Sequence, residues 1–126
     1  MRRSICLGVL TFAGVFATIA VNEARQDRAA LATRTIADNL FMLANAPSVQ
    51  GMGGGGNTAI FVMTSGVALV DTKINGYGPD ILAAVRELTD KPITTIINTH
   101  THWDHTGSNA EFPDTVDVVV HENTAA

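Results

Sequence analysis

The hydrophobic residues of this chain come in short blocks separated by polar or glycine-rich breaks. The first block, Ile5 to Val21, runs 17 residues without a charge and follows the basic start Met1-Arg2-Arg3-Ser4. A basic start, an apolar run and a small-residue exit at Thr18-Ile19-Ala20 predict a secretory signal peptide over 1–20. An uncleaved anchor is the alternative, since the run falls just short of spanning length, and a buried core helix is a third reading. Residues 21–38 are polar and alanine-rich with sparse apolar positions, and read as a linker to a domain over 39–126.

Within that domain the pattern changes period. Leu40-Phe41-Met42-Leu43 predicts a first short strand, and the run Gly51 to Gly56, broken by Met52, predicts a flexible connection ending at Asn57. No Lys-Ser/Thr pair follows these glycines, so a mobile loop is the reading rather than a phosphate cradle. Thr58 to Thr64 and Val67 to Val70 carry the β-branched content of strands. With Ser65-Gly66 as a tight turn between them they predict an antiparallel hairpin. Pro79 to Thr89 reads as a helix: Pro79 suits the first turn, Asp80 favours the positive N-terminal end, and Ile81, Leu82, Val85 and Leu88 share one face. Pro92 stops it, Ile93 to Ile97 is a strand, Ser108 to Phe112 a helical turn, and Val116 to Val120 a further strand. Strands alternating with helices predict an α/β fold with an N-terminal antiparallel hairpin, without internal repeats.

Composition narrows the partners. A length of 126 residues suits one domain. Loss of residues 1–20 leaves six basic against twelve acidic residues, moving the net charge from −4 to −6. An acidic chain without basic clusters argues against nucleic acid. The only cysteine, Cys6, leaves with the signal, so the mature chain forms no disulfide. No other stretch is long or apolar enough to span a membrane, so no stable membrane association is expected after cleavage.

The chemistry concentrates in Thr99-His100-Thr101-His102-Trp103-Asp104-His105, which holds three of the four histidines. Imidazole nitrogens and a carboxylate are good zinc ligands. His100 and His102 are two apart at a strand end, so in extended chain both project from one side and grip one ion. The chain must turn after Trp103, and Asp104 and His105 then face a second position. A closed structural zinc site is the alternative, but such sites usually use cysteines, which the mature chain lacks. Trp103 reads as packing for the loop, with the pocket wall as the other possibility. Asn109 is expected to hold the loop through backbone hydrogen bonds.

His100-x-His102-x-Asp104-His105, after a hydrophobic strand and before Thr106-Gly107, resembles the signature of the metallo-β-lactamase fold superfamily. The glycine-rich stretch with Asn57 before a strand, Val70-Asp71-Thr72 at a strand end, and the helix before Ile96-Ile97-Asn98-Thr99-His100 follow the family order. The resemblance covers roughly Asn39 to the C-terminus and implies the N-terminal half of an αββα sandwich, a mixed sheet with an antiparallel hairpin and flanking helices. It implies that His100 and His102 bind the first of two zinc ions and that Asp104 and His105 bind the second. Asp104 would also orient the nucleophilic water, and Asp71 would support the loop, unless it is only a strand-end carboxylate in a turn.

A complete family member has further ligands downstream, whereas only His121 follows His105 here. His121 sits at a strand end and reads as supporting rather than ligating. The chain is therefore expected to be the front part of the domain, a fragment or truncated product. The implied activity is that of a periplasmic or secreted zinc-dependent hydrolase of a small-molecule ester, thioester, lactone or β-lactam. In it, metal-activated hydroxide attacks the carbonyl. The alternatives are an iron-dependent oxidoreductase resembling persulfide dioxygenases, and an inactive fragment.

Overall fold

A computed structural model describes residues 30–46 and 53–124 of the chain. Six strands form one mixed sheet in the order β1-β2-β3-β4-β5-β6: β1 Leu31–Ala37, β2 Leu40–Asn45, β3 Thr58–Val62, β4 Val67–Val70, β5 Ile93–Ile97 and β6 Asp117–Val119. The first four pair antiparallel, and β4, β5 and β6 run parallel. Helix α1, Gly78–Leu88, makes the crossover from β4 to β5, and the short helix α2, Trp103–Thr106, lies between β5 and β6. The expected α/β class, the hairpin β3–β4 and the helix before β5 all stand. The signal-peptide expectation concerns residues outside those described. No helix among the described residues is long and apolar enough to cross a membrane.

One expectation is corrected. Residues 31–37, read as linker, form β1 and pair with β2 through registers such as Thr33↔Leu43. A two-residue turn at Asp38-Asn39 joins them, and the Asn39 carbonyl accepts the Val62 N–H at 2.8 Å. β1 is an edge strand, exposed over most of its length. It is held by backbone bonds that any side chain permits, so it lacks the apolar alternation that marks a strand from sequence.

The core lies between one face of the sheet and α1. Leu43, Ile60, Val67, Leu69 and Ile96 from the sheet meet Ile81 and Val85 of the helix, with Tyr77, Phe112 and Val116 closing the ends. Leu82 and Leu88 pack at the margin. Phe61, Ile97 and Val119 point to the other face and remain 40%, 39% and 50% exposed.

α1 begins without a side-chain cap of its own. Its N-terminus is satisfied from a distance: the Glu111 carboxylate accepts the N–H groups of Gly76 and Gly78, and Ser108 Oγ accepts Tyr77 N–H at 3.0 Å. An anion at this positive helix end is favourable, and the bonds tie the helix to the segment that leaves α2. Glu111→Ala is expected to lower unfolding stability by about 2 kcal/mol, since bonds to a charged acceptor are worth roughly 1.5–3 kcal/mol. A urea midpoint unchanged from the parent would contradict that role.

Candidate metal centre

The histidine loop sits where the parallel strands end. Ligand sites of parallel sheets form outside the carboxyl ends of the strands, and here those ends are level: Val70 is in register with Ile97, and Ile97 with Val119. Asp71 N–H extends the ladder to the Ile97 carbonyl at 2.9 Å, and Asn98 N–H to that of Val119 at 3.0 Å. Beyond this line β4 contributes Asp71, β5 contributes residues 98–105, and β6 leads to His121.

Asp71 is the hub. It is 4% exposed, and its carboxylate accepts Thr99 N–H at 2.8 Å and Thr99 Oγ–H at 2.7 Å. Its Oδ2 also lies 2.7 Å from His105 Nδ1. A carboxylate only accepts, so this contact puts the His105 proton on Nδ1 and leaves Nε2 with its lone pair available. The His100 Nδ1 lies 2.9 Å from Thr99 Oγ1, whose own proton goes to Asp71 Oδ2, so that oxygen is left to accept from the ring. Asp71 adopts φ 62°, a left-handed conformation that Asp tolerates better than most residues. Of the two readings of Asp71, the loop support is the one this geometry favours.

The backbone after Asp71 then cradles the loop from behind. Thr72 N–H donates to the His105 carbonyl at 2.7 Å, and Gly107 N–H to the Lys73 carbonyl at 2.9 Å. Asn109 Oδ1 accepts from Thr72 Oγ1 at 2.6 Å, while its amide donates to Asn98 Oδ1 at 2.7 Å. The expected backbone bonds of Asn109 are replaced by side-chain ones, which link Thr72 behind the loop to Asn98 at its start. The glycine-rich connection closes the front, where Gly56 N–H donates to the Asp104 carbonyl at 2.9 Å. A Cβ on Gly56 would lie 2.6 Å from His105 Cε1, and one on Gly55 would lie 2.6 Å from the Asp104 carbonyl. Only glycine allows that approach.

Three imidazoles meet as the spacing implied. The rings of His100 and His102 are 4.6 Å apart between centroids, those of His100 and His105 4.2 Å. Asp104 Oδ2 lies 3.5 Å from His105 Nε2. The route differs from expectation: β5 ends at Ile97, residues 99–101 bend, and His102 is extended only as the residue before α2. Among the described residues no three such side chains converge into a finished ion cage. In kind, however, the donors suit zinc: borderline nitrogens and a carboxylate, with two of the rings already oriented by second partners.

Two expectations change. Trp103 is 63% exposed, so it does not pack the loop and stands at its rim. The reason is that α2 is a single turn whose residues include none that is buried. His121 stays outside the cluster: it is exposed, and its Nδ1 accepts the Asn123 N–H at 3.2 Å. Missed from sequence was Lys73, whose side chain is wholly buried and whose ammonium donates to the Gly56 carbonyl at 2.6 Å and to Asn45 Oδ1 at 3.1 Å. A lysine is read as exposed by default, and nothing near it in the sequence says otherwise.

The metallo-beta-lactamase superfamily model matches residues 51–126, which takes in the whole of this loop and its cradle. The chain belongs to the metallo-β-lactamase superfamily. No curated protein matches it significantly. Among solved structures it is similar to a B3 metallo-β-lactamase described as having an active-site glutamic acid, with 28% identity, a TM-score of 0.62, and coverage of 84% of this chain and 38% of that one. It is similar to a subclass B3 metallo-β-lactamase of Bradyrhizobium japonicum at 26% identity and TM-score 0.53, covering 68% of this chain and 30% of that one. A metallo-β-lactamase of Pseudomonas aeruginosa, solved in a mono-zinc form, shares the fold at 19% identity and TM-score 0.61, covering 78% of this chain and 45% of that one. The chain thus spans 30% to 45% of the length of these metallo-β-lactamases.

Proposed function

We propose that the loop holds zinc and serves an exported hydrolase acting on the carbonyl of a β-lactam. The observation that carries the zinc reading is the Asp71 carboxylate at 2.7 Å from His105 Nδ1. That arrangement fixes the ring with the Nε2 lone pair available, as second partners of metal-binding histidines do. His100 and His102 would hold one ion, and Asp104 and His105 a second. When bound, zinc supplies a water acidic enough to attack at neutral pH and polarises the carbonyl oxygen. The protein's own contribution is to hold three imidazoles together, to engage Nδ1 of His105 and of His100 with Asp71 and Thr99, and to set the Asp104 carboxylate beside His105 Nε2.

The substrate class rests on likeness to the two B3 enzymes above 25% identity. Export rests on the basic start and apolar run of residues 1–20. The site residues His100, His102, Asp104 and His105, supported by Asp71 and Asn109, are part of the same proposal, as is a domain that takes in β1 from Leu31 onward. The test is metal content and hydrolysis together. The purified protein is expected to retain zinc after desalting, to lose it on His100→Ala or His102→Ala, and to open the ring of a chromogenic cephalosporin. Iron in place of zinc, with oxygen uptake, would move the reading to a dioxygenase. Zinc retained without turnover of any β-lactam would remove the substrate assignment.

A further inference from the structure

Lys73 is the one described group whose charge is buried with no carboxylate beside it in the hydrogen-bond pattern. Its ammonium reaches two neutral oxygens, Gly56 O at 2.6 Å and Asn45 Oδ1 at 3.1 Å, and lies 5.9 Å from the centre of the Tyr77 ring. Burying a lone ammonium is unfavourable, so the site must be rigid enough to offset it. The two acceptors belong to different elements. Asn45 ends β2 and also donates to the Gly55 carbonyl at 3.2 Å. Gly56 belongs to the glycine-rich connection, and its own N–H carries the Asp104 carbonyl at 2.9 Å. One side chain from the cradle therefore fixes the end of β2 and the connection at once, and the connection is what covers Asp104 and His105.

We propose that Lys73 is a positioning residue: its ammonium pins the Gly55-Gly56 segment against the metal loop and so fixes the placement of Asp104 and His105. The geometry supports this directly. Gly56 contacts the His105 ring closely enough that a methyl there would overlap it. A connection free to lift by an ångström would release both the ring and the carbonyl of the preceding residue. The Lys73 backbone reinforces the arrangement by accepting Gly107 N–H at 2.9 Å on the far side of the loop. Lys73 thus grips the loop's exit through its carbonyl and the loop's cover through its side chain.

The test uses the full chain in two states. In the metal-free protein, Lys73→Met is expected to speed amide exchange at Gly56 by about tenfold or more, the loss of a charge-assisted bond, with Leu69 and Ile96 amides unchanged. With zinc added against a chromophoric chelator, the same variant is expected to bind about tenfold more weakly, as for loss of an outer partner of a ligand. The second readout rests on the zinc reading above, while the first does not. A parent protein that takes no zinc sinks that reading and leaves the exchange result to decide the role of Lys73. Unchanged exchange at Gly56, or a rise shared equally by Leu69 and Ile96, overturns the proposal. If Lys73→Met does not fold, Asn45→Ala removes one acceptor of the ammonium and is judged on the same selective rise at Gly56.

Discussion

Asp71→Asn is expected to weaken zinc binding by about 10–100-fold while leaving the fold in place. The argument is one of donors and acceptors. Thr99 N–H can only donate, and it meets Asp71 Oδ1 at 2.8 Å. An asparagine must therefore keep its carbonyl oxygen on that side and put its NH2 where Oδ2 now stands. There it faces Thr99 Oγ, which can accept, and His105 Nδ1, which holds a proton. Two donors cannot face each other at 2.7 Å, so the His105 proton must move to Nε2, the nitrogen that the proposed zinc site would use. Asparagine also tolerates the left-handed backbone at this position, which separates the chemical effect from strain. Chelator competition reads the affinity and urea unfolding reads the fold. An affinity within twofold of the parent would show that His105 does not ligate through Nε2. Asp71→Ala, in contrast, leaves the His105 and Thr99 donors without their acceptor and is expected to lose about 2–4 kcal/mol of stability as well.

A stability that rises in alkali is the second large effect. Burial lowers the Lys73 ammonium from 10.5 to about 8. Below about pH 8 both the folded and the unfolded chain hold the proton, and the full penalty of burying the charge is present. Between about 8 and 10.5 the folded amine releases its proton while the unfolded one keeps it. The unfolded state then binds more protons, so stability climbs with pH through that window and levels off above it. The neutral amine still has protons to donate to Gly56 O and Asn45 Oδ1, so the contacts survive. Between pH 7.5 and 9.5 the metal-free parent is expected to gain about 2 kcal/mol relative to Lys73→Met. Parallel pH profiles for the two proteins in urea unfolding would rule this out.

Much of this molecule is written locally. The β-branched runs Thr58 to Thr64 and Val67 to Val70 about Ser65-Gly66 predict a hairpin before any tertiary contact is known. Ile81, Leu82, Val85 and Leu88 make the helix face, and Pro92 ends it. The histidine loop is legible for the same reason, since its chemistry lies within six consecutive residues, although the bend at 99–101 rather than an extended strand brings the rings together. What was illegible depends on residues far apart in sequence. β1 is a strand because β2 lies beside it, not because its own side chains alternate. Trp103 is exposed because α2 is one turn long with nothing packed over it. Glu111 caps a helix that begins 33 residues earlier, and so carries no cap signature.

The sequence by itself determined the family, the elements from β2 onward and the histidine loop as the candidate site, because each is set by neighbours along the chain. Only the tertiary structure decided which nitrogen of His105 is left for an ion, since Asp71 reaches it across 34 positions. Only the tertiary structure buried Lys73. A lysine's ordinary preference for water gives way when two fixed oxygens from separate elements stand where its ammonium ends.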